Sequence, residues 1–358
     1  VSNQISQTAL GLMSGTSLDG LDMAICHFEY TSGKWSYTIL AAETLSYSNE
    51  WKSRLSSAMD LSGLQLSQLD VDLGSWIGEK ARDFLNRHNE HAEFIASHGH
   101  TVFHQPEHSL TLQIGKGSHI AAATQLPVIS DFRSLDVALG GQGAPLVPIG
   151  DKLLFGEYDF CLNLGGIANI SFELMGQRMA FDICPLNMAL DLLARQLDLP
   201  FDDSGEIARS GSVNLTLLNQ LNSLSFYATD PPKSLGKEWF DQEFYPLLRR
   251  SGLSFRDLLS TCTEHMAIQI ALVVKGWNGR MLVTGGGGWN TFLIERIQSH
   301  VTAELIVPDK LLVNFKEALI FAFLGVLRWN ELANTMDSVT GAKQACSAGV
   351  IWLPGKAS

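Results

Sequence analysis

The chain has 358 residues, 46% hydrophobic and 17% charged, which excludes disorder and predicts two domains, because one core rarely serves so many residues. Its formal charge of −12, with 25 basic residues that form no run, argues against nucleic acid or an anionic membrane as partner, since either wants clustered Lys and Arg. Five scattered cysteines without a CxxC pair, no basic segment leading into an apolar core at Val1 to Thr8, and no apolar run of about 18 residues predict a soluble cytoplasmic protein.

Apolar runs at Thr8 to Ser14, Asp22 to Phe28 and Trp35 to Thr44 predict two or three strands joined by tight turns. Leu64 to His88 sets Leu66, Leu69, Leu73, Ile77, Ala81, Phe84 and Leu85 on one helical face. Strands at Phe94 to Ser97 and Leu110 to Ile114, a helix at Ser118 to Thr124 and a strand at Pro127 to Ser130 follow. A second series opens with strands at Tyr158 to Leu164, Asn169 to Glu173 and Arg178 to Phe181. A helix at Pro185 to Leu197 comes next, with Pro185 near its first position, where the missing N–H is harmless. Helices at about Val213 to Leu224 and Phe255 to Trp277, a strand at Met281 to Thr284, helices at Trp289 to His300 and Asn314 to Asn334, and a strand at Gly349 to Trp352 complete the chain. The repeated order predicts a duplicated α/β unit with a cleft between lobes. The Gly-rich stretch after Asp131 marks the boundary, giving 1–130 with 335–358 as one lobe and 131–334 as the other.

Three glycine-rich turns carry the main chemical signal. In Gly15-Thr16-Ser17-Leu18-Asp19-Gly20-Leu21-Asp22, successive N–H groups suit phosphate oxygens, and Asp19 or Asp22 suits Mg²⁺; a hairpin that binds nothing is the competing reading. Gly165-Gly166 alone is an ordinary hairpin signature, but it occupies the matching place in the second series. Gly285-Gly286-Gly287-Gly288 has more glycine than a strand-to-helix turn needs, so close approach to a ligand is the better explanation. Neither a βαβ GxGxxG nor GxxxxGK[ST] occurs.

Asp182 joins a predicted strand to a predicted helix, where a carboxylate serves as a catalytic base or simply as an N-cap. His98, His100, His104 and His108 invite a metal site, but their spacing favours a polar loop. Arg133 suits a substrate carboxylate or a surface pair with Asp131 or Asp136, and Gly140 to Gly143 suits a hinge.

Taken together, GTSLDGLD at 15–22, ASHGHTVFHQP at 96–106, DFRSLDVALGGQGAPLVPIGDKLLF at 131–155, LNLGGIANISF at 162–172, PPKSLGKEWF at 231–240, GGGGWN at 285–290, EALIFAFL at 317–324 and TGA at 340–342 resemble the anhydro-N-acetylmuramic acid kinases. The resemblance implies an α/β, two-lobed actin-like ATPase fold (a duplicated RNase H-like unit) with an interlobe cleft. It implies an enzyme that uses ATP and Mg²⁺ to phosphorylate O6 of 1,6-anhydro-N-acetylmuramic acid while water opens the anhydro bridge, in peptidoglycan recycling, commonly as a homodimer. It implies Asp182 as base. Gly15, Thr16, Ser17, Leu18, Asp19, Gly20, Leu21 and Asp22, with Gly165, Gly166, Gly285, Gly286 and Gly287, are the expected ATP contacts. His98, Arg133 and Glu317 are the substrate-side candidates. The family's FDTGPxN motif reads Phe181-Asp182-Ile183-Cys184-Pro185-Leu186-Asn187 here, so a lost hydroxyl and an added Cβ point to an altered sugar pocket. Two rivals stay open: a kinase for another amino sugar, and a nucleotide-dependent regulatory protein with weak ATPase activity.

Overall fold

The same strand order is built twice. In the computed structural model, residues 4–15 and 18–355 are described. The first sheet holds β1 (Ile5–Ser14), β2 (Gly20–Thr31), β3 (Lys34–Ser46), β4 (Phe94–Gln105), β5 (Leu110–Ile114) and β6 (Val128–Ser130). Its order is β6-β4-β1-β2-β3, with Val350–Trp352 beside β6 and β5 beside β4. β1, β2 and β3 form an antiparallel meander; β4 runs parallel to β1, and β6 parallel to β4. The second sheet holds β7 (Phe160–Leu164), β8 (Ile167–Leu174), β9 (Gln177–Pro185), β10 (Arg280–Thr284) and β11 (Glu304–Ile306), in the order β11-β10-β7-β8-β9. Again three strands form an antiparallel meander, and the two that follow run parallel to the first. With β5 and the Val350–Trp352 strand set aside and β6 taken as the fifth strand, each sheet reads 3-2-1-4-5, the RNase H-like order, and the chain is a duplicated α/β fold of the actin-like kind.

Each unit has its own core. In the first, the helix Gly63–His88 starts with a Ser62–Gln65 capping box and ends at left-handed Asn89, and it buries Leu69, Leu73, Ile77, Ala81 and Phe84 against Leu10, Leu12 and Ile95. In the second, the helix Phe255–Val273 buries Leu258, Leu259, Cys262 and Met266 with the strands Phe160–Leu164 and Ile167–Leu174. None of the five cysteines is in a disulfide and all are buried, and no described helix is long and apolar enough to cross a membrane.

Several expectations shift. The compact units are 1–154 with 315–358, and 155–314, so segments 131–154 and 315–334 pack with the first unit rather than the second. The reason lies in the helix Lys310–Trp329, whose backbone meets β1: a Cβ at Gly11 would lie 1.9 Å from the Ala318 carbonyl oxygen, and Phe323 packs on Phe28. His98, His100 and His104 lie in a strand, not a loop. Pro185 ends β9, and the next helix runs Asn187–Arg195. Gly140 to Gly143 is bonded inside the first unit to Asp136 and Thr340, which removes it as a hinge.

Candidate functional site

Parallel strands end at the same edge of a sheet, and in α/β proteins that edge gathers ligand-binding residues. In the first unit β1 and β6 end alongside the middle of β4, with Ser14 opposite His100 and Ser130 opposite Ser97, and β4 runs on to Gln105 beside β5. There β4 inserts an extra residue, so that His98 and Gly99 oppose Met13 alone, and Gly99 takes φ +75°. This bulge aims His98 at Arg133. His98 Nδ1 donates to the Gly99 carbonyl (2.9 Å), which leaves Nε2 to accept from Arg133 Nε (3.0 Å) and Nη2 (2.9 Å). Burial holds the His98 imidazole well below its usual range, and the Arg133 charge adds to this, so His98 is neutral. Arg133 Nη1 donates to the Gly143 carbonyl (2.6 Å); burial pushes the guanidinium down to about 10 against the opposing charges of Glu317 and Asp136.

The expected surface pairing of Arg133 is corrected. Asp136 is fully buried and accepts from Thr340 Oγ1 and the Gly143 amide, both at 2.8 Å, while Asp131 accepts from the Ser134 amide. Asp136 thus fixes the Gly143 carbonyl that in turn holds Arg133.

Asp22 lies at the same edge, opposite Met13, and accepts a hydrogen bond from Thr44 (2.6 Å). Burial raises its carboxyl above the usual range, Thr44 opposes this, and the Asp19 charge adds to it. Glu317 is raised by crowding from surrounding protein and by the Asp22 charge, with Arg133 and Lys316 opposing, although water reaches its side chain. Among the described residues no three His, Cys, Asp or Glu side chains converge as a protein-only metal site would require. Below the turn, Tyr47 donates to Ser14 Oγ (2.8 Å), which bonds His100 Nδ1 (3.1 Å), and the Tyr47 amide bonds the Asp19 carbonyl.

Thr16 and Ser17 lie outside the described residues. Gly15 and Leu18 close the turn through the Leu18 amide, with Leu18 at φ +59°. Gly20 is demanded by packing, since a Cβ there would lie 2.4 Å from the Leu45 carbonyl oxygen. Leu21 is buried in the core, so its side chain is not available to a nucleotide.

The second unit repeats the arrangement. β7, β9 and β10 end at one edge, with Thr284 opposite Asn163. The Gly165–Gly166 carbonyls accept from the amides of Leu186, Asn187 and Met188 (2.9–3.2 Å), and Asn187 Nδ2 donates to the Leu164 carbonyl (3.1 Å). That turn, not Asp182, satisfies the orphan amides at the start of the Asn187–Arg195 helix. Gly285 takes φ +82° and Gly287 sits against Leu164 and Leu186, so both answer to packing; a side chain at Gly286 would meet only the Asn187 side-chain amide, at 3.8 Å.

Asp182 stands near the end of β9 at a second bulge. Ala168 faces Cys184 and Asn169 faces Asp182, leaving Ile183 unmatched. The Asp182 amide donates to the Lys233 carbonyl (3.1 Å), and its Oδ2 accepts from the Leu235 amide (2.8 Å). Burial raises the carboxyl, and the Leu235 amide opposes the rise. The helix-cap role is therefore corrected. A half-buried carboxylate held by one amide, with its other oxygen left for a proton, is suited to general-base work.

Residues 7–354 match the family model for anhydro-N-acetylmuramic acid kinase. The chain belongs to the anhydro-N-acetylmuramic acid kinase family. It is 33% identical to the anhydro-N-acetylmuramic acid kinase of Synechococcus elongatus, covering 96% of this chain and 98% of that one. The Vibrio cholerae protein of the same name is also 33% identical, with the same coverage. Among solved structures, the activator of 2-hydroxyisocaproyl-CoA dehydratase from Clostridium difficile is similar at 15% identity and a TM-score of 0.43, covering 90% of this chain and 97% of that one.

Within this kinase family the departures at Ile183 and Cys184, and Leu186 at a position where the family often has Gly, looked like changes to the sugar pocket. All three side chains are instead buried in the core of the second unit, exposed by 2% or less. Sequence reasoning also missed Lys233 and Leu235, whose backbone grips Asp182. The 231–240 motif was visible, but nothing in it announced that partner. Thr340 and Asp136, likewise inside family motifs, emerge as supports of Arg133.

Proposed function

We propose that this kinase family member opens the 1,6-anhydro ring of 1,6-anhydro-N-acetylmuramic acid with water and transfers the γ-phosphoryl group of ATP to O6. The products are N-acetylmuramic acid 6-phosphate and ADP, formed in peptidoglycan recycling. The observation that carries this reading is Asp182, next to the β9 bulge at Ile183 in a family member, with a carboxyl raised by burial and one oxygen tied to Leu235. Asp182 takes a proton from water as the water oxygen bonds to the anomeric carbon. The C1–O6 bond breaks, and O6 attacks the γ-phosphorus with ADP as leaving group. A raised pKa strengthens the base.

Arg133 is the counter-charge for the sugar's carboxylate, and neutral His98 holds it without opposing its charge. Gly15, Thr16, Ser17, Leu18, Asp19 and Gly20, with Gly165, Gly166 and Gly285 to Gly287, meet ATP. Asp19 or Asp22 is the carboxylate that would hold Mg²⁺, which keeps most of its waters and needs only one or two carboxylates. When bound, Mg²⁺ neutralises charge on the phosphates.

Turnover in ¹⁸O water tests the reaction: label is expected on the anomeric carbon of the product, and phosphorylated sugar without label would reject ring opening by water. Gly166→Ala tests the nucleotide site. No atom lies within 4 Å of the added methyl group, so stability should change by less than about 0.5 kcal/mol. The KM for ATP should rise roughly tenfold, a loss of about 1.4 kcal/mol of binding. An unchanged KM would remove this turn from the site.

A further inference from the structure

Asp182 takes both of its protein bonds outside β8 from one stretch of chain, through the Lys233 carbonyl and the Leu235 amide. In residues 228–238 every residue except Lys233 and Leu235 is exposed, so little local core holds that stretch in place. Its two ends are anchored instead. On one side Tyr227 donates to His265 Nε2 (2.8 Å), and their rings meet at 5.0 Å. On the other, Trp239 packs on Phe226 (5.4 Å) and on Phe244 (6.3 Å), and Phe244 packs on His265 (5.6 Å). A π-helical turn at Phe240–Phe244 turns both of its phenylalanines into the core.

His265 is the centre of this anchor. It is fully buried on the helix Phe255–Val273. Asn222 Oδ1 accepts from Gln269 Nε2 (2.9 Å) and lies 2.7 Å from His265 Nδ1, so Nδ1 carries the proton and Nε2 is the acceptor for Tyr227. Burial pushes His265 down to about 3, which keeps this one arrangement across the working pH range. Apolar packing fills a core at least as well as a buried polar network, whose particular contribution is directional. Here the direction is that of Tyr227 and the chain leaving it.

We propose that Tyr227 and His265 are positioning residues for Asp182: through the chain from Tyr227 to Leu235 they hold the Leu235 amide on the carboxylate. This rests on the reading of Asp182 as the base. The groups around that carboxylate are few: the Cys184 thiol beside it on β9, and Lys233, whose Nζ turns away to the Phe226 carbonyl and ring.

Tyr227→Phe removes one hydroxyl and keeps the ring. It is expected to lower kcat about ten- to hundredfold, as small misplacements of a reacting group do, with the KM for ATP within about twofold. The acid limb of the pH–rate profile should also move to higher pH, because a carboxylate that loses an N–H donor is harder to ionise. A merely structural tyrosine would lower the melting temperature without moving that limb. If Tyr227→Phe does not fold, Lys233→Met frees the same stretch at the surface and should move the limb in the same direction. An unmoved limb with wild-type kcat, alongside an inactive Asp182→Asn, would overturn the positioning role and leave the base standing. A fully active Asp182→Asn would remove the base and the proposal with it.

Discussion

Asp182→Asn is expected to lower kcat for phosphorylation of the anhydro sugar by about 10²–10⁴-fold, the usual worth of a general base. ATP affinity should hold, because the bonds made by Asp182 run to Lys233 and Leu235 rather than to the glycine turns. Folding should hold as well. The amides at the start of the Asn187–Arg195 helix are satisfied by Gly165 and Gly166, and an asparagine oxygen still accepts from the Leu235 amide. The direction of the pKa shift sharpens this. A carboxyl raised on folding contributes stability that is present below its unfolded pKa of 3.8 and is lost as pH rises through the folded value. Asparagine never ionises, so the melting temperature at neutral pH should equal or exceed that of the unmodified protein. Asp182→Ala instead strands the Leu235 amide, and an unsatisfied buried donor costs about 1–3 kcal/mol. Turnover, ATP affinity and melting temperature of both variants check these outcomes, and near-normal turnover of Asp182→Asn would end the base assignment.

Arg133→Met has the second large effect. It removes a charge and also leaves His98 Nε2 and the Gly143 carbonyl without their donor. Two acceptors stranded in this setting cost about 2–4 kcal/mol of stability, partly offset by the apolar replacement. The kcat/KM for the sugar should fall by at least about 10²-fold, as when one partner of a desolvated charge pair is truncated, with a much smaller change in ATP affinity. Arg133→Lys should not rescue, because a single ammonium does not reproduce the guanidinium fork that reaches both acceptors. Steady-state kinetics in both substrates, read beside the melting temperature, decide the matter. A destabilised enzyme with normal sugar kinetics would make Arg133 a structural residue alone.

The bulged strands explain why neither residue's setting was legible in advance. A bulge is a mismatch between two strands, and Ile183 becomes an extra residue only once Ala168 and Asn169 are paired with Cys184 and Asp182. Read alone, Phe181 to Asn187 resembles a strand end and a helix cap, because Asp before an apolar helical pattern is what a cap looks like. The cap is supplied instead by a turn about twenty residues upstream in the chain. His98 and Arg133 are 35 residues apart, and their charge-assisted bond exists because β4 and β6 are neighbours in the sheet. The histidine-rich stretch looked like a loop for a related reason: polar residues at a strand's end lack the alternation that marks a half-buried strand.

By itself the sequence determined the alternation of strands and helices, the strands and tight turns that open each unit, the helix at Leu64 to His88, the glycine turns and the family. These depend on apolar period, turn chemistry and motif order, all of which are local or additive along the chain. The tertiary structure alone decided what each site residue touches and which glycines answer to packing. Gly20 and Gly166 look alike as letters, yet a side chain at one would strike the Leu45 carbonyl and at the other would enter open space. It also decided that 315–334 joins the first unit, because an apolar helix is hydrophobic without naming its partner, and the bare backbone at Gly11 supplies the surface on which Ala318 fits.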